Sequence, residues 1–151
     1  MNHDEKWMKY AIEEAYKAED KGEIPVGAVL VKSGKILAKA HNLCILNKDA
    51  SAHAEIQLIR AGGEKLNNYR LNGSTIYVTL EPCAMCFGAM IHARIDRLVF
   101  GAYDSKTGVC GSSSNITNEK NFNHKIDIIG GILKSENENL LKAFFTQLRI
   151  K

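Results

Sequence analysis

The spacing of hydrophobic residues along the chain predicts four helices and five strands. Apolar positions three and four residues apart are typical of amphipathic helices, whereas short β-branched or aromatic runs between turn residues are typical of strands. The predicted elements, in chain order, are a helix over 4–21, a hairpin of strands over 25–31 and 36–41, a helix over 52–61 ended by Gly62-Gly63, a strand over 74–80, a helix from Pro82 to about Ala93, strands over 97–102 and 126–133, and a helix over 136–149.

Helices that alternate with strands after an opening hairpin predict an α/β fold. We expect a three-layer α/β/α sandwich around a mixed central sheet. Residues 104–123 are rich in Gly, Ser and Asn with little periodicity, which predicts a loop. The chain shows no internal repeat or linker, so a single domain over 1–151 is expected.

Composition narrows the class of protein without naming a function. The 151 residues are 45% hydrophobic and 25% charged, as in ordinary globular domains. The N-terminal residues interleave charged and apolar side chains, and no run approaches the roughly 20 apolar residues that span a bilayer. We therefore expect a cytoplasmic protein with no membrane partner. The net charge of +3 is compatible with a polyanionic partner but does not require one.

The sequence Pro82-Cys83-Ala84-Met85-Cys86 predicts half of a metal site. Cysteines three residues apart on a helix share a face, so two thiolates can bind one ion. Pro82 suits the first helical position, which would put both sulfurs at a helix N-terminus, where the partial positive charge favours thiolate. With His53 as a third ligand, Zn²⁺ would keep an open fourth position for water, as in catalytic zinc sites.

Glu55 is the predicted catalytic residue of this site. Two residues along a helix are turned by about 200°, so Glu55 need not bind the metal that His53 binds. Its carboxylate could instead take a proton from the water and deliver it to a ring nitrogen and then to the leaving amine. The spacing His-x-Glu followed by Pro-Cys-x-x-Cys is an established signature of zinc nucleobase deaminases.

The cysteines could also serve a redox role or a purely structural one. A Cys-x-x-Cys redox pair usually follows the first strand of a thioredoxin-like unit, whereas this pair lies past the middle of the chain. A zinc ribbon needs a second close pair, and Cys44 and Cys110 stand far apart. The strongest alternative is a closed structural site in which Cys44 or Cys110 is the fourth ligand. Otherwise both are expected to be small core or loop residues.

Beyond the metal motif, the chain resembles the bacterial tRNA-specific adenosine deaminases of the cytidine deaminase superfamily. The resemblance covers nearly the whole chain and includes the segments 23–31, 52–55, 77–86, 88–92, 101–102 and 104–108, together with Asn123-His124 and Phe144-Phe145. It implies a cytidine-deaminase-like fold, one zinc ion per subunit and a homodimer. It also implies hydrolysis of the wobble adenosine to inosine in the anticodon stem-loop of a tRNA, an arginine tRNA by family analogy. The apolar segment 87–91 is consistent with a dimer interface.

The same resemblance implies a set of substrate-binding residues. Asn42 is expected to hydrogen-bond the flipped nucleotide, because an amide offers both a donor and an acceptor to a purine edge. Ala54 is expected at the substrate-binding site, and Asp104 and Lys106 are expected to contact flanking nucleotides. Arg149 lies on the last predicted helix, which by the same resemblance is expected to contact the anticodon stem.

Two segments depart from the family pattern. Phe87 stands where relatives carry a small residue, and Ser112-Ser113-Ser114-Asn115 replaces a more apolar run. Local packing and the path of the loop are therefore open. Two rival functions also stay open: a small-molecule deaminase for guanine, cytosine or a nucleoside with the same zinc site, and a non-enzymatic zinc module that binds RNA or protein.

Overall fold

The structure is a computed structural model that describes residues 2–150. Its elements are four helices and five strands in the predicted order. They are α1 (His3–Asp20), β1 (Gly27–Lys32), β2 (Lys35–His41), α2 (Ala54–Leu66), β3 (Ser74–Leu80), α3 (Ala84–His92), β4 (Arg97–Ala102), β5 (Asp127–Ile129) and α4 (Lys134–Ile150).

The strands form one mixed sheet with the order β2-β1-β3-β4-β5. β1 runs antiparallel to β2 and β3, whereas β3, β4 and β5 are parallel to one another. The start of β1 and the ends of β2, β3 and β4 therefore lie at the same edge of the sheet. Loops that leave this edge are placed to build a site together.

Helices cover both faces of the sheet, which confirms the predicted three-layer arrangement. Alternate residues of the strands point to opposite faces. Leu30, Val78 and Phe100 pack in one core with α2 and α3. Val29 and Val99 pack in a second core with α1, and α4 lies against β4. Between residues 2 and 150, no helix combines the length and the apolar character that crossing a membrane requires.

The end of α2 differs from its sequence prediction. Gly62-Gly63 does not stop the helix, which continues to Leu66 and is capped by Asn67 in the left-handed conformation at φ 51°. A Cβ atom on Gly62 would lie 2.6 Å from a methyl group of Leu30, so the glycine allows the helix to approach β1 closely. The glycine at position 62 is therefore explained by close packing against β1 and not by termination of the helix.

Two other boundaries also differ from prediction. α3 begins at Ala84 with Cys83 as its N-cap, so Pro82 precedes the helix and does not occupy its first position. The strand expected over 126–133 is only Asp127–Ile129. Gly131 then adopts φ +85°, a conformation outside the extended region, and turns the chain toward α4.

A polar network fixes the start of α1 to the far edge of the sheet. Asp4 binds Arg97 through two hydrogen bonds of 2.7 Å, and the Tyr77 hydroxyl donates to Asp4 at 2.8 Å. The hydrogen bond from Arg97 holds the pKa of Asp4 below its usual value. Because the pKa is lowered in the folded state, this contribution to stability is present above the unfolded pKa of about 3.9 and is lost as pH falls through the folded pKa.

We predict that Asp4→Asn lowers the free energy of unfolding at neutral pH by about 1.5–3 kcal/mol, the usual range for a hydrogen bond to a charged group. Below the folded-state pKa of Asp4 the difference from wild type should vanish, because the wild-type carboxyl is then also neutral. Urea unfolding at both pH values measures this. Asp20→Asn, at the exposed end of the same helix, is the matched control; an equal loss of stability there would contradict the assignment to Asp4.

Candidate active site

Three potential metal ligands meet where α2 and α3 begin. His53 is the N-cap of α2, Cys83 is the N-cap of α3, and Cys86 lies in the first turn of α3. Neither N-cap side chain hydrogen-bonds its own helix, so both are available for another partner. Two helix N-termini therefore direct their partial positive charge toward one place, as anionic ligands such as thiolates require.

The distances between the three side chains fit a tetrahedral zinc ion. Nδ1 of His53 lies 3.7 Å from Sγ of Cys83 and 3.5 Å from Sγ of Cys86. Zinc bonds of about 2.05 Å to nitrogen and 2.3 Å to sulfur at a tetrahedral angle would separate those atoms by about 3.6 Å. Among the described residues these three are the only group of His, Cys, Asp or Glu side chains whose ligand atoms converge in this way. The donor set therefore fits Zn²⁺.

The electrostatics of the cluster also favour thiolate. A hydrogen bond from Cys86 lowers the pKa of Cys83 to about 4, and His53 adds to this effect. The same interaction raises the pKa of Cys86, and Cys83 raises the pKa of His53. One thiolate is thus already stabilised by its neighbours, as expected where a metal ligand must lose its proton.

Glu55 lies in the first turn of α2 and is only 4% exposed. Burial raises the pKa of Glu55 to about 7, and the nearby Cys83 acts in the same direction. A carboxyl group with a pKa near neutrality can both accept and donate a proton. It also lies on the wall of the cleft that His53 and Cys83 line, so it is close to the position that a substrate would occupy.

His53 and Cys83 open into a cleft with a cavity volume of about 180 Å³, whereas Cys86 is fully buried. It is lined by Ile24, Val26, Asn42, His53, Glu55, Leu80, Glu81, Cys83, Asp104 and Thr107. Asn42 is 8% exposed, and within the described part of the chain its amide has no side-chain hydrogen bond. That amide is therefore free to bind a ligand in the cleft.

Asp104 and Lys106 occupy different positions in the same loop. The Asp104 carboxylate accepts hydrogen bonds from the backbone N–H groups of Lys106 and Thr107 and from the Thr107 hydroxyl. It therefore shapes the loop as well as lining the cleft. Lys106 lies outside the cleft, in an adjoining groove that it forms with Tyr103, Leu141 and other residues.

Two further predicted residues do not line the cleft. Ala54 is fully buried in the core, and only its backbone N–H, in the unsatisfied first turn of α2, could serve a ligand. Arg149 lies in the last turn of α4 and is exposed. Phe145, on the same helix, borders the groove beside Lys106, whereas Phe144 lies in a separate pocket. Substrate binding by Ala54, Asp104, Lys106 and Arg149 stays a prediction.

The remaining cysteines stand apart from the metal cluster. The Cys44 thiol donates to the carbonyl of Ala50, and Cys110 is partly buried against the core. Neither belongs to the converging group of His53, Cys83 and Cys86. The geometry thus gives no support to a closed four-ligand site.

The two departures from the family pattern each have a local structural basis. Phe87 is fully buried and packs against Phe122 with ring centroids 6.0 Å apart. Met90 and Ile91 are buried in the same core, so most of the apolar segment 87–91 is occupied within the chain and is not evidence for an interface. In the second departure, Ser112 binds Glu81 through both its backbone N–H and its hydroxyl.

Sequence reasoning missed several residues of the cleft, namely Ile24, Val26, Leu80, Glu81 and Thr107. Glu81 directly precedes Pro82-Cys83, and that position was the available signal. The others lie at strand ends or in a loop, where only the register of the sheet shows which residues face the site.

Comparison with known proteins places this geometry in a family. Residues 1–102 match the family described as the cytidine and deoxycytidylate deaminase zinc-binding region. A protein of Bacillus subtilis (strain 168) named tRNA-specific adenosine deaminase is 48% identical over 151 residues, covering 100% of this chain and 94% of that protein. A structure from a study of A-to-I editing by tRNA:A34 deaminases is 40% identical with a TM-score of 0.85, covering 90% of this chain and 99% of that one. The guanine deaminase of Bacillus subtilis superposes with a TM-score of 0.66 at 28% identity, covering 100% and 96%.

The sheet and the His–Cys–Cys cluster thus define a deaminase of the zinc-binding cytidine and deoxycytidylate type. Given its identity with full-length relatives, the chain belongs to the tRNA-specific adenosine deaminase family. Both the resemblance noted in the sequence and the cytidine-deaminase-like fold are confirmed.

We predict that Cys83→Ser and His53→Ala abolish zinc retention, because two remaining ligands cannot hold the ion against exchange. The double variant Cys44→Ser/Cys110→Ser should retain about one zinc per chain, as three-ligand catalytic sites do. Metal content of the purified variants measures both results. Zinc loss from the double variant would instead support a closed structural site in which Cys44 or Cys110 is the fourth ligand.

Proposed function

We propose that this protein hydrolyses the wobble adenosine of a tRNA anticodon to inosine, with an arginine tRNA as the substrate. The observation that carries the proposal is a cleft in which His53 and Cys83 of the His–Cys–Cys cluster lie together with Glu55 and Asn42. Family membership supports the choice of RNA, because the full-length relatives are named tRNA-specific adenosine deaminases. The cytoplasm, where mature tRNAs are used, is the proposed location.

His53, Cys83 and Cys86 would hold one Zn²⁺ per subunit. With three protein ligands and an open position, zinc lowers the pKa of water and so supplies a nucleophile at neutral pH. The fold contributes the N-terminus of α3, which holds both thiolates, and the N-terminus of α2, which holds the His53 imidazole beside them. The ligand set is therefore largely preorganised.

Glu55 is the proposed proton carrier. Water adds to C6 of adenine, and Glu55 takes the proton that the water loses and delivers it to the ring nitrogen N1. The second proton of the water then goes, through the same carboxyl group, to the amine, which leaves as ammonia while C6 becomes a carbonyl. Its raised pKa, caused by burial, suits a group that must change its protonation state twice.

We propose that Asn42 recognises the base in the cleft through hydrogen bonds. Its unpartnered amide offers one donor face and one acceptor face, which matches the edge of a purine. A stacked base cannot reach such a recessed site, so the nucleotide must be flipped out. Flipping costs less in an anticodon loop than in a duplex.

The groove beside the cleft supports an RNA substrate over a free base. It shares Ile24, Leu80, Asp104 and Thr107 with the cleft and extends to Phe145 of α4. A free base would fill the cleft alone, whereas a polynucleotide would continue into this groove. We propose that Lys106 and Arg149 contact the flanking RNA there and along the stem.

We also propose that the protein acts as a homodimer. The family resemblance supports this assembly. The apolar segment 87–91 does not, because most of it is buried within the chain.

The decisive test is to incubate purified protein with a tRNA that carries a wobble adenosine and to sequence the product for inosine. We predict inosine at that position, with little ammonia release from guanine, cytosine or free nucleosides. Faster turnover of a free base than of the tRNA would favour a small-molecule deaminase instead.

In the same assay, Glu55→Ala should reduce turnover by about 10²–10⁴-fold while zinc is retained, because general acid–base catalysis is lost without a ligand being removed. Glu64→Ala, on the exposed side of the same helix, is the control and should change little. Unimpaired function of Glu55→Ala would point to a non-enzymatic zinc module.

We predict that Lys106→Met weakens binding of the anticodon stem-loop and lowers the slope of log K against log salt concentration by about 0.7–0.9, the value for one phosphate contact. Fluorescence anisotropy over a salt series measures both quantities. Lys35→Met, at the exposed start of β2 and outside both the cleft and the groove, is the control. An unchanged slope for Lys106→Met would mean that Lys106 does not contact phosphate.

A further inference from the structure

Glu81 is a buried acid that the proposed chemistry does not use. It follows the last residue of β3 and immediately precedes Pro82-Cys83, and it is 2% exposed. Glu81 and Cys83 are both among the residues that line the cleft. A buried carboxylate without partners would be strongly destabilising, so the hydrogen-bond partners of Glu81 indicate its structural role.

All four side-chain contacts of Glu81 are to one loop. Oε1 accepts from the backbone N–H of Asp104 at 3.0 Å and from the Ser112 hydroxyl. Oε2 accepts from the backbone N–H of Cys110 at 2.8 Å and of Ser112 at 3.2 Å. Each oxygen therefore has two donors, and the donors come from both ends of the segment 104–112.

This 104–112 loop contains no helix or strand that could hold its path. Apart from Glu81, it is tied to the metal-binding segment by the hydrogen bond from Val109 N–H to the carbonyl of Pro82 at 3.0 Å. Gly108 packs directly on Glu81, and a Cβ atom there would overlap the carboxyl group and lie 2.6 Å from the carbonyl oxygen of Asp104. The loop thus wraps around the Glu81 side chain.

The loop supplies Asp104 and Thr107 to the wall of the catalytic cleft. We propose that Glu81 is a positioning residue for substrate binding: its carboxylate fixes the 104–112 loop against the metal-binding segment and so sets the shape of the cleft wall. Glu81 itself does not take part in the chemical step. The consequence for catalysis rests on the proposed function, whereas the anchoring of the loop does not.

Glu81→Gln is the informative substitution because it keeps the size of the side chain. In either orientation of the amide, its NH₂ group replaces one carboxylate oxygen and faces the two donors from which that oxygen accepted. A rotated Ser112 hydroxyl could adapt, but at least one backbone N–H of the loop loses its acceptor. Such a loss loosens the loop without leaving a cavity.

Glu23→Gln is a matched control. Glu23 is 1% exposed, and its carboxylate accepts from the backbone N–H groups of Ile45 and Leu46 at 3.1 and 2.8 Å. Neither Ile45 nor Leu46 lines the catalytic cleft. The control therefore removes a carboxylate of similar burial and similar partners from a different loop.

For Glu81→Gln we expect KM for the anticodon stem-loop to rise about tenfold while kcat stays within about twofold, as for the loss of an interaction that serves binding. Zinc content should be unchanged. Ser112→Ala should shift KM in the same direction by a smaller factor, because it removes one of the four donors. Gly108→Ala should also raise KM, because its methyl group would meet both the Glu81 carboxyl group and the Asp104 carbonyl oxygen. Glu23→Gln should leave KM within about twofold.

Hydrogen exchange separates this proposal from the proposed function. The amides of Asp104, Cys110 and Ser112 should exchange at least about tenfold faster in Glu81→Gln than in wild type, with those of Ile45 and Leu46 unaffected. Unchanged exchange in the loop, a fall in kcat with constant KM, zinc loss, or an equal KM rise in Glu23→Gln would overturn the role of Glu81. If wild type forms no inosine, the proposed function fails, and loop exchange alone decides whether Glu81 anchors the loop.

Discussion

The packing of α2 against α3 is the constraint on which the rest of the site depends. His53 and Cys83 are 30 residues apart in sequence, and they meet because both helices begin at the same edge of the sheet and share one core. Each helix contributes an N-terminus with partial positive charge and a cap side chain that its own helix does not use. The metal ligands, the recessed cleft and the burial of Glu55 all follow from this convergence.

The sequence predicted the local parts of this arrangement and missed the parts that depend on tertiary contacts. The Cys-x-x-Cys spacing indicates two convergent thiolates by itself, and the bounds of β3 and β4 were predicted correctly. The predicted end of α2 was wrong because Gly62 is required for close packing against the Leu30 methyl group on β1, a contact that the sequence does not show. Glu81 was not identified because its donors are mostly backbone N–H groups 23–31 residues further along, which leave no side-chain pattern in the sequence.

Two buried acids of the same cleft show how surroundings separate the roles of identical side chains. The Glu81 carboxylate is surrounded by four donors from one loop, so it acts as a fixed acceptor. For Glu55, burial outweighs the hydrogen bonds it receives and raises its pKa to about 7. The first environment suits an acceptor that organises backbone N–H groups, whereas the second suits a group that gains and loses a proton.

The 104–112 loop borders both the cleft and the adjoining groove. Asp104 and Thr107 of the loop line the cleft together with His53 and Cys83, and Lys106 lines the adjoining groove bordered by Phe145 of α4. A nucleotide in the cleft and its neighbours in the groove would therefore contact a single segment of backbone. That segment has no regular secondary structure, so its path depends on individual hydrogen bonds, among them those that Glu81 accepts. The buried Glu81 carboxylate contributes to that path, since it ties the 104–112 loop to the end of β3 that immediately precedes Pro82-Cys83.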